Sequence, residues 1–189
     1  MNERVAVLLL FVFLAPYSCG QQQETDQAKL TGNTYSSPHF GLSLTIPKTL
    51  TIAKWDFMKD APSRSGRTFV LLHAWGESKI FSARTGLVLS ADDLSYYPVD
   101  QRNAEAYLRK VVRFMVQDGS KVLHERIDTT VGGIKAVRAD FRKGSVHQSE
   151  FVVVRKGFAL VFTVTGGSET EIDDLFHSLK AKFSDAAHP

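Results

Sequence analysis

The chain is 189 residues long, with 43% apolar, 23% charged and 11% aromatic side chains. That balance excludes a disordered, a collagen-like or a polytopic membrane protein and fits one domain of ordinary size. Basic residues number 23 and acidic residues 20, a formal charge of +3 that is too small to point to nucleic acid, and the single cysteine rules out an intrachain disulfide or a thiolate metal cluster.

Residues 1–20 read as a signal peptide. Arg4, offset by Glu3, precedes eleven consecutive apolar residues, Val5 to Ala15, and Pro16 breaks the run ahead of Ser18, Cys19 and Gly20. A bilayer span takes roughly 20 apolar residues, whereas an export signal takes roughly 7–15. The unbroken run also lacks the polar stripe of a core helix. Two processing outcomes stand open. Cleavage after Gly20 frees a soluble domain beginning at Gln21, and cleavage before Cys19 leaves a lipidated, anchoring terminus. Ser18-Cys19-Gly20 followed by a polar stretch fits the second outcome. Pro16 and Tyr17, where aliphatic and small residues belong, favour the first. In both cases the mature domain carries no thiol for nucleophilic catalysis, and the location is periplasmic or extracellular.

Residues 21–34 hold almost no apolar side chains and read as a flexible leader or tether, residues 35–183 as a single domain without repeats, and residues 184–189 as a polar tail. Phe40, Leu42, Leu44 and Ile46 alternate with Gly41, Ser43 and Thr45, the pattern of a strand with one buried face, closed by Pro47. Thr51 to Trp55 reads as its partner strand and residues 59–67 as a polar loop. Thr68 to Trp75 and Thr85 to Ser90 follow as strands. Asn103 caps a helix running to about Asp118, with Gly119 as its stop. Ala104, Tyr107, Leu108, Val111, Val112 and Met115 form its buried stripe, and Arg109, Lys110 and Arg113 lie on the other side.

Four strands with tight turns come next: Val122 to Thr130, Ile134 to Arg142, Val146 to Arg155 and Phe158 to Thr165. A glycine in each connection supplies the positive φ that such hairpins demand. Phe151 to Val154 and Phe158 to Val164 are apolar on both faces, as in the middle of a sheet covered on both sides. Ser168 with Glu171 makes a capping box for a last helix, whose apolar face is expected to run through Ile172, Leu175, Phe176, Leu179 and Phe183. The order of elements predicts an α+β domain built on a mostly antiparallel sheet.

A resemblance now becomes visible. The opening Tyr35…Phe40-Gly41-Leu42-Ser43-Leu44-Thr45-Ile46-Pro47 resembles the start of a PsbP-like domain. The middle helix, the strand leading into Val131-Gly132-Gly133-Ile134-Lys135-Ala136 and the closing Leu175…Leu179…Phe183 fit the same pattern, over Tyr35 to Phe183. That group includes photosystem II extrinsic subunits, a yeast nuclear-import factor that binds a small GTPase, and exported bacterial lipoproteins. The resemblance implies an α-β-α sandwich with helices on both faces of the sheet, and a binding or assembly role rather than catalysis. It transfers no site residue and no cofactor.

Residue patterns for chemistry are sparse. The histidines, His39, His73, His124, His147, His177 and His188, contain no HExxH and no i, i+4 pair. His73, His124 and His147 fall on predicted strands and could converge on a metal, but unrelated sheet histidines are the commoner arrangement. No G-x-S-x-G turn is present, and Ser43 reads as solvent-facing. Gly166-Gly167-Ser168 before a helix could hold an anion, yet it lacks a Walker lysine. Asp92-Asp93 and Asp173-Asp174 are adjacent carboxylates rather than spaced ligands.

Two surfaces remain. Arg109, Lys110 and Arg113, with Arg64 and Arg67 of the polar loop, could meet an acidic partner or anionic lipid headgroups. Tyr96, Tyr97 and Pro98 form the aromatic cluster placed to reach a surface. The sequence therefore predicts an exported, non-enzymatic binding or assembly domain of the cell envelope, with a protein partner, no nucleic acid and no cofactor. The second reading is a small-ligand or lipid carrier with a pocket near Trp55, Trp75 and Tyr97. A hydrolase whose residues meet only in three dimensions is the third.

Overall fold

The structure, a computed structural model, describes residues 28–53, 68–77 and 84–184. Residues 1–27 with Cys19, the segment holding Trp55, Arg64 and Arg67, and the tail from residue 185 lie outside the described residues. The described chain runs β1 (Lys29–Thr31), β2 (Thr34–Ser37), β3 (Leu42–Thr45), β4 (Thr51–Ile52), β5 (Thr68–Glu77), β6 (Arg84–Asp93), α1 (Ala104–Gln117), β7 (Lys121–Val131), β8 (Ile134–Lys143), β9 (Val146–Arg155), β10 (Phe158–Gly166), α2 (Glu169–Ser178) and β11 (Lys180–Phe183). These strands make two antiparallel sheets, a large one in the order β4-β5-β6-β10-β9-β8-β7 and a small one in the order β1-β2-β3-β11. The fold is α+β, as the order of elements predicts.

The hairpins of the large sheet form where their turn residues allow. Gly132 and Gly133, at φ +56° and +82°, make the two-residue turn between Val131 and Ile134 that returns β7 into β8. In β8, Val137, Ala139 and Phe141 point to one face, and with Val152 and Val161 they pack against Leu108 and Met115 of α1. The helix lies over β7, β8 and β9. On the opposite face, Leu72, Leu87, Leu89, Phe151, Leu160 and Phe162 meet Ile172 and Leu175 of α2 and Tyr35, Leu42 and Leu44 of the small sheet. One layer of helix therefore covers the first face, and a helix beside a small sheet covers the second. Burying both faces of β9 and β10 removes most of their apolar surface from water, the main source of stability here.

Three expectations are corrected. The stretch through residue 34 is not all leader, because Lys29–Thr31 already pairs with Thr34–Ser36. The segment after Pro47 does not pair with β3; Thr51–Ile52 joins β5 instead, and β3 lies between β2 and β11. The last helix does not run to Phe183. Leu179 turns to an extended conformation (φ −71°, ψ 127°), and Lys180–Phe183 pairs with Leu42–Thr45. The backbone groups of β3 are thereby satisfied on both edges, which continued helix would leave unpaired.

Candidate functional site

A braced surface segment joins β6 to α1. Two 3-10 turns, Leu94–Tyr96 and Val99–Gln101, make its path. Asp93 Oδ1 accepts from the Ser95 N–H at 2.8 Å, and the Leu94 N–H donates to the Gly157 carbonyl at 2.9 Å. Tyr97 points inward: its hydroxyl donates to Asp92 Oδ2 at 2.5 Å, its ring meets Tyr107 edge-on at 5.9 Å, and Lys110 Nζ sits 3.7 Å above its centroid. Arg102 donates to the carbonyls of Tyr97 (2.8 Å) and Ser95 (3.1 Å). Asn103 caps α1 through the Ala106 N–H at 2.9 Å, while its amide donates to the Asp100 carbonyl at 3.0 Å.

With those side chains committed to the segment itself, Tyr96 and Val99 face solvent, at 59% and 79% exposure, with the exposed Pro98 between them. Apolar groups held on an already ordered backbone lose little further entropy on binding, which is what an interaction surface requires.

Of the basic residues predicted to work together, Arg109 and Lys110 are drawn to separate partners. Lys110 is bent over Tyr97, and Arg109 pairs with Glu105 at 3.8 Å one turn earlier. Glu105 also receives Arg126 of β7 at 2.7 Å. Arg113 is exposed on α1, and Arg64 and Arg67 lie outside the described residues. An acid at i−4 and a neighbouring ring divide the expected cationic face.

Nor are Trp75 and Tyr97 brought together. Trp75 lies opposite Gly86, whereas the Tyr97 hydroxyl is bound to Asp92, six residues farther along β6. At about 3.4 Å per residue this is roughly 20 Å. Trp75 instead tilts against His73, with ring centroids 5.1 Å apart. Burial lowers the His73 pKa, which favours its neutral form.

A charged cluster that the sequence did not single out lies beside α2. Arg138 Nε donates to Asp140 Oδ1 at 2.6 Å, its Nη1 to Asp173 Oδ1 of α2 at 2.6 Å, and its Nη2 to Ser149 Oγ at 3.2 Å. The Ser149 hydroxyl donates to Asp140, and His124 Nδ1 lies 3.1 Å from the other Asp140 oxygen. Serine, aspartate and histidine thus meet in space, but the carboxylate sits between hydroxyl and imidazole. Nucleophile activation needs the imidazole in the middle. Here the carboxylate accepts from Ser149 and Arg138, and the cluster ties α2 to β8 and β9. Its signal was the polar stripe Arg138, Asp140 and Arg142, which reads as solvent-facing, although only Arg142 is exposed.

The histidines do not converge. His73 is on the α1 face of the large sheet and His124 on the α2 face, and among the described residues no group of three His, Cys, Asp or Glu side chains is placed to hold a metal. Nor is the Gly166-Gly167-Ser168 turn open to an anion. Glu171 accepts from the Gly167 N–H at 2.8 Å and from the Thr85 hydroxyl, while Ser168 Oγ accepts from the Glu171 N–H at 3.1 Å. The protein's own carboxylate fills the helix start.

Glu150 of β9 is buried on the α1 face, at 2% exposure, accepting from Gln148 Nε2 (2.6 Å) and Thr163 Oγ1 (2.7 Å). Burial pushes its carboxyl from the ordinary 4.5 up to about 7, outweighing the two hydrogen bonds. Finally, an open groove of ≈ 380 Å³ runs beside β11, lined by Leu44, Phe162, Phe176, Leu179, Lys180 and Lys182 among others.

No family model and no curated protein matches the chain. Among solved structures, it is similar to the cyanobacterial PsbP (CyanoP) of Synechocystis sp. PCC 6803, with 13% identity over 86% of this chain and 96% of that one and a TM-score of 0.48. It is also similar to LpqN of Mycobacterium tuberculosis, a protein involved in cell envelope biogenesis, with 12% identity over 75% of this chain and 83% of that one and a TM-score of 0.44. The likeness is one of fold and transfers no residue role. Among the described residues, no helix is long and apolar enough to cross a membrane.

Proposed function

We propose that this protein is an exported, non-enzymatic domain that works in the cell envelope by binding a protein partner through the segment Tyr96 to Val99. The observation that carries the reading is the contrast within that segment: Asp93, Tyr97, Arg102 and Asn103 hold its backbone, while Tyr96 and Val99 stay at 59% and 79% exposure. The apolar run Val5 to Ala15 supports export. The wiring of Ser149, Asp140 and His124, with the carboxylate in the middle, supports a structural use of those groups.

A photo-crosslinking residue at position 96, in protein expressed in its own host, tests the reading. A discrete protein adduct is expected at position 96 and not at Lys135. Excess wild-type protein should suppress it, and excess Tyr96→Ser/Val99→Ser protein should not. Equal adducts at both positions, or equal competition by the variant, would overturn it. The groove beside β11 favours the carrier reading instead, and native mass spectrometry showing a co-purified small molecule would move the assignment there.

A further inference from the structure

The small sheet turns its apolar side chains inward, which leaves an outer face whose composition the strand register defines. One row across the four strands is Thr31, Thr34, Thr45 and Lys180, and the next is Lys29, Ser36, Ser43 and Lys182. The row between them, Leu30, Tyr35, Leu44 and Ala181, points to the other side of the sheet, where Tyr35, Leu44 and Ala181 pack in the core and Leu30, on the edge strand, stays 45% exposed. The outer face therefore consists of five hydroxyl side chains and three lysines. Neither of its rows contains a carboxylate or an apolar group. Lys29 stands on one edge strand and Lys180 and Lys182 on the other, roughly 14 Å apart at about 4.8 Å per strand. The Thr34 and Thr45 hydroxyls lie 3.1 Å from each other across the strands, and all three lysines are exposed.

We propose that this face docks on the anionic phospholipid headgroups of a membrane surface. Charge complementarity is the first argument, since three cations with no acid among them attract a sheet of phosphates. Chemistry is the second. A protein interface wants an apolar centre, which this face lacks, whereas short hydroxyl side chains between lysines match a flat, hydrated layer of phosphate oxygens. The path of the chain is the third. β1, at one edge of this sheet, begins ten residues after Cys19, a contour of at most about 35 Å. A lipid on Cys19 would keep this face close to the bilayer. The surface is separate from the Tyr96 segment, so either assignment can fail without the other.

Vesicle sedimentation of the full chain tests the proposal, with phosphatidylcholine vesicles containing one-third phosphatidylglycerol compared with phosphatidylcholine alone. Binding to the anionic vesicles should exceed binding to the neutral ones and fall with added salt. Lys29→Gln/Lys180→Gln/Lys182→Gln should weaken it by about fivefold per lysine, on the order of a hundredfold together. Arg109→Gln/Arg113→Gln should leave it unchanged. Ser43→Asp keeps every lysine and should also weaken binding by placing a carboxylate between them. Circular dichroism confirms that each variant is folded. Equal binding to both vesicle types, or a lysine variant that binds like the wild type, would overturn the proposal. So would lysine-dependent binding to dextran sulfate without binding to vesicles, which would identify an anionic glycan instead.

Discussion

Thr163 Oγ1 donates to one oxygen of Glu150 at 2.7 Å, and Gln148 Nε2 donates to the other at 2.6 Å. The neighbours of Glu150 across the strands are Ala139 and Thr163, neither of them a cation. With its carboxyl pushed up to about 7, the folded state keeps a proton that the unfolded chain releases above its ordinary 4.5. The contribution of this group is therefore complete below about pH 4.5 and is lost as pH rises through about 7. Glu150→Gln removes the ionisation and keeps the shape. Urea unfolding should show the variant close to wild type at pH 4.5 and more stable at pH 8, by up to about 3 kcal/mol. A variant–wild-type difference that does not change with pH would contradict this.

Arg138 holds a buried partner, Asp140, and a half-exposed one, Asp173. Removing the arginine leaves the Asp140 carboxylate buried without its cation. Arg138→Leu should therefore cost about 3–5 kcal/mol in urea unfolding. Asp173→Asn, which removes a half-exposed carboxylate while Arg138 keeps Asp140, should cost only about 1 kcal/mol. Arg138→Leu/Asp140→Leu should recover much of the loss, because an apolar pair leaves no stranded charge.

Gly41 is held at φ +62°, and a Cβ there would fall on the Ser184 carbonyl oxygen, while Ser184 returns its N–H to the Gly41 carbonyl at 2.8 Å. Gly144 has a similar φ of +60° with nothing near its missing Cβ. Gly144→Ala should cost about 1 kcal/mol from backbone strain alone, and Gly41→Ala about 3 kcal/mol. Hydrogen exchange should localise the extra cost of Gly41→Ala, with the amides of Lys180 to Phe183 losing protection and those of β8 keeping theirs.

Local signals carried the elements whose partners are near in sequence. The hairpins from Lys121 to Gly166 were legible from alternation and turn glycines, and both helix starts from Asn103 and Ser168. Distant pairing left no such mark. Leu175, Leu179 and Phe183 keep helical spacing, and no glycine or proline breaks it, so β11 reads as helix until β3 is seen to need a neighbour. The candidate site divided the same way. Tyr96, Tyr97 and Pro98 read as one surface cluster, but Tyr97 turns inward to Asp92, and neither that turn nor the bracing by Arg102 and Asn103 was legible. The Lys110 ammonium looked solvent-bound because its ring partner, Tyr97, lies thirteen residues upstream, outside the helix. Asp140 was missed because its face turns inward only under α2.

The place of β11 in the small sheet also has a consequence for when the domain can close. Lys180 to Phe183 pair with Leu42 to Thr45, so one of the earliest strands waits for the last one. A chain that emerges from its amino terminus, whether from a ribosome or through a translocation pore, exposes β3 long before its neighbour arrives. Contacts this distant in sequence form slowly and late. The β7–β10 hairpins can assemble while the lysine-bearing edge is still missing. Premature closure is therefore blocked by chain order alone, and the hydroxyl-and-lysine face becomes complete only once the whole domain has emerged.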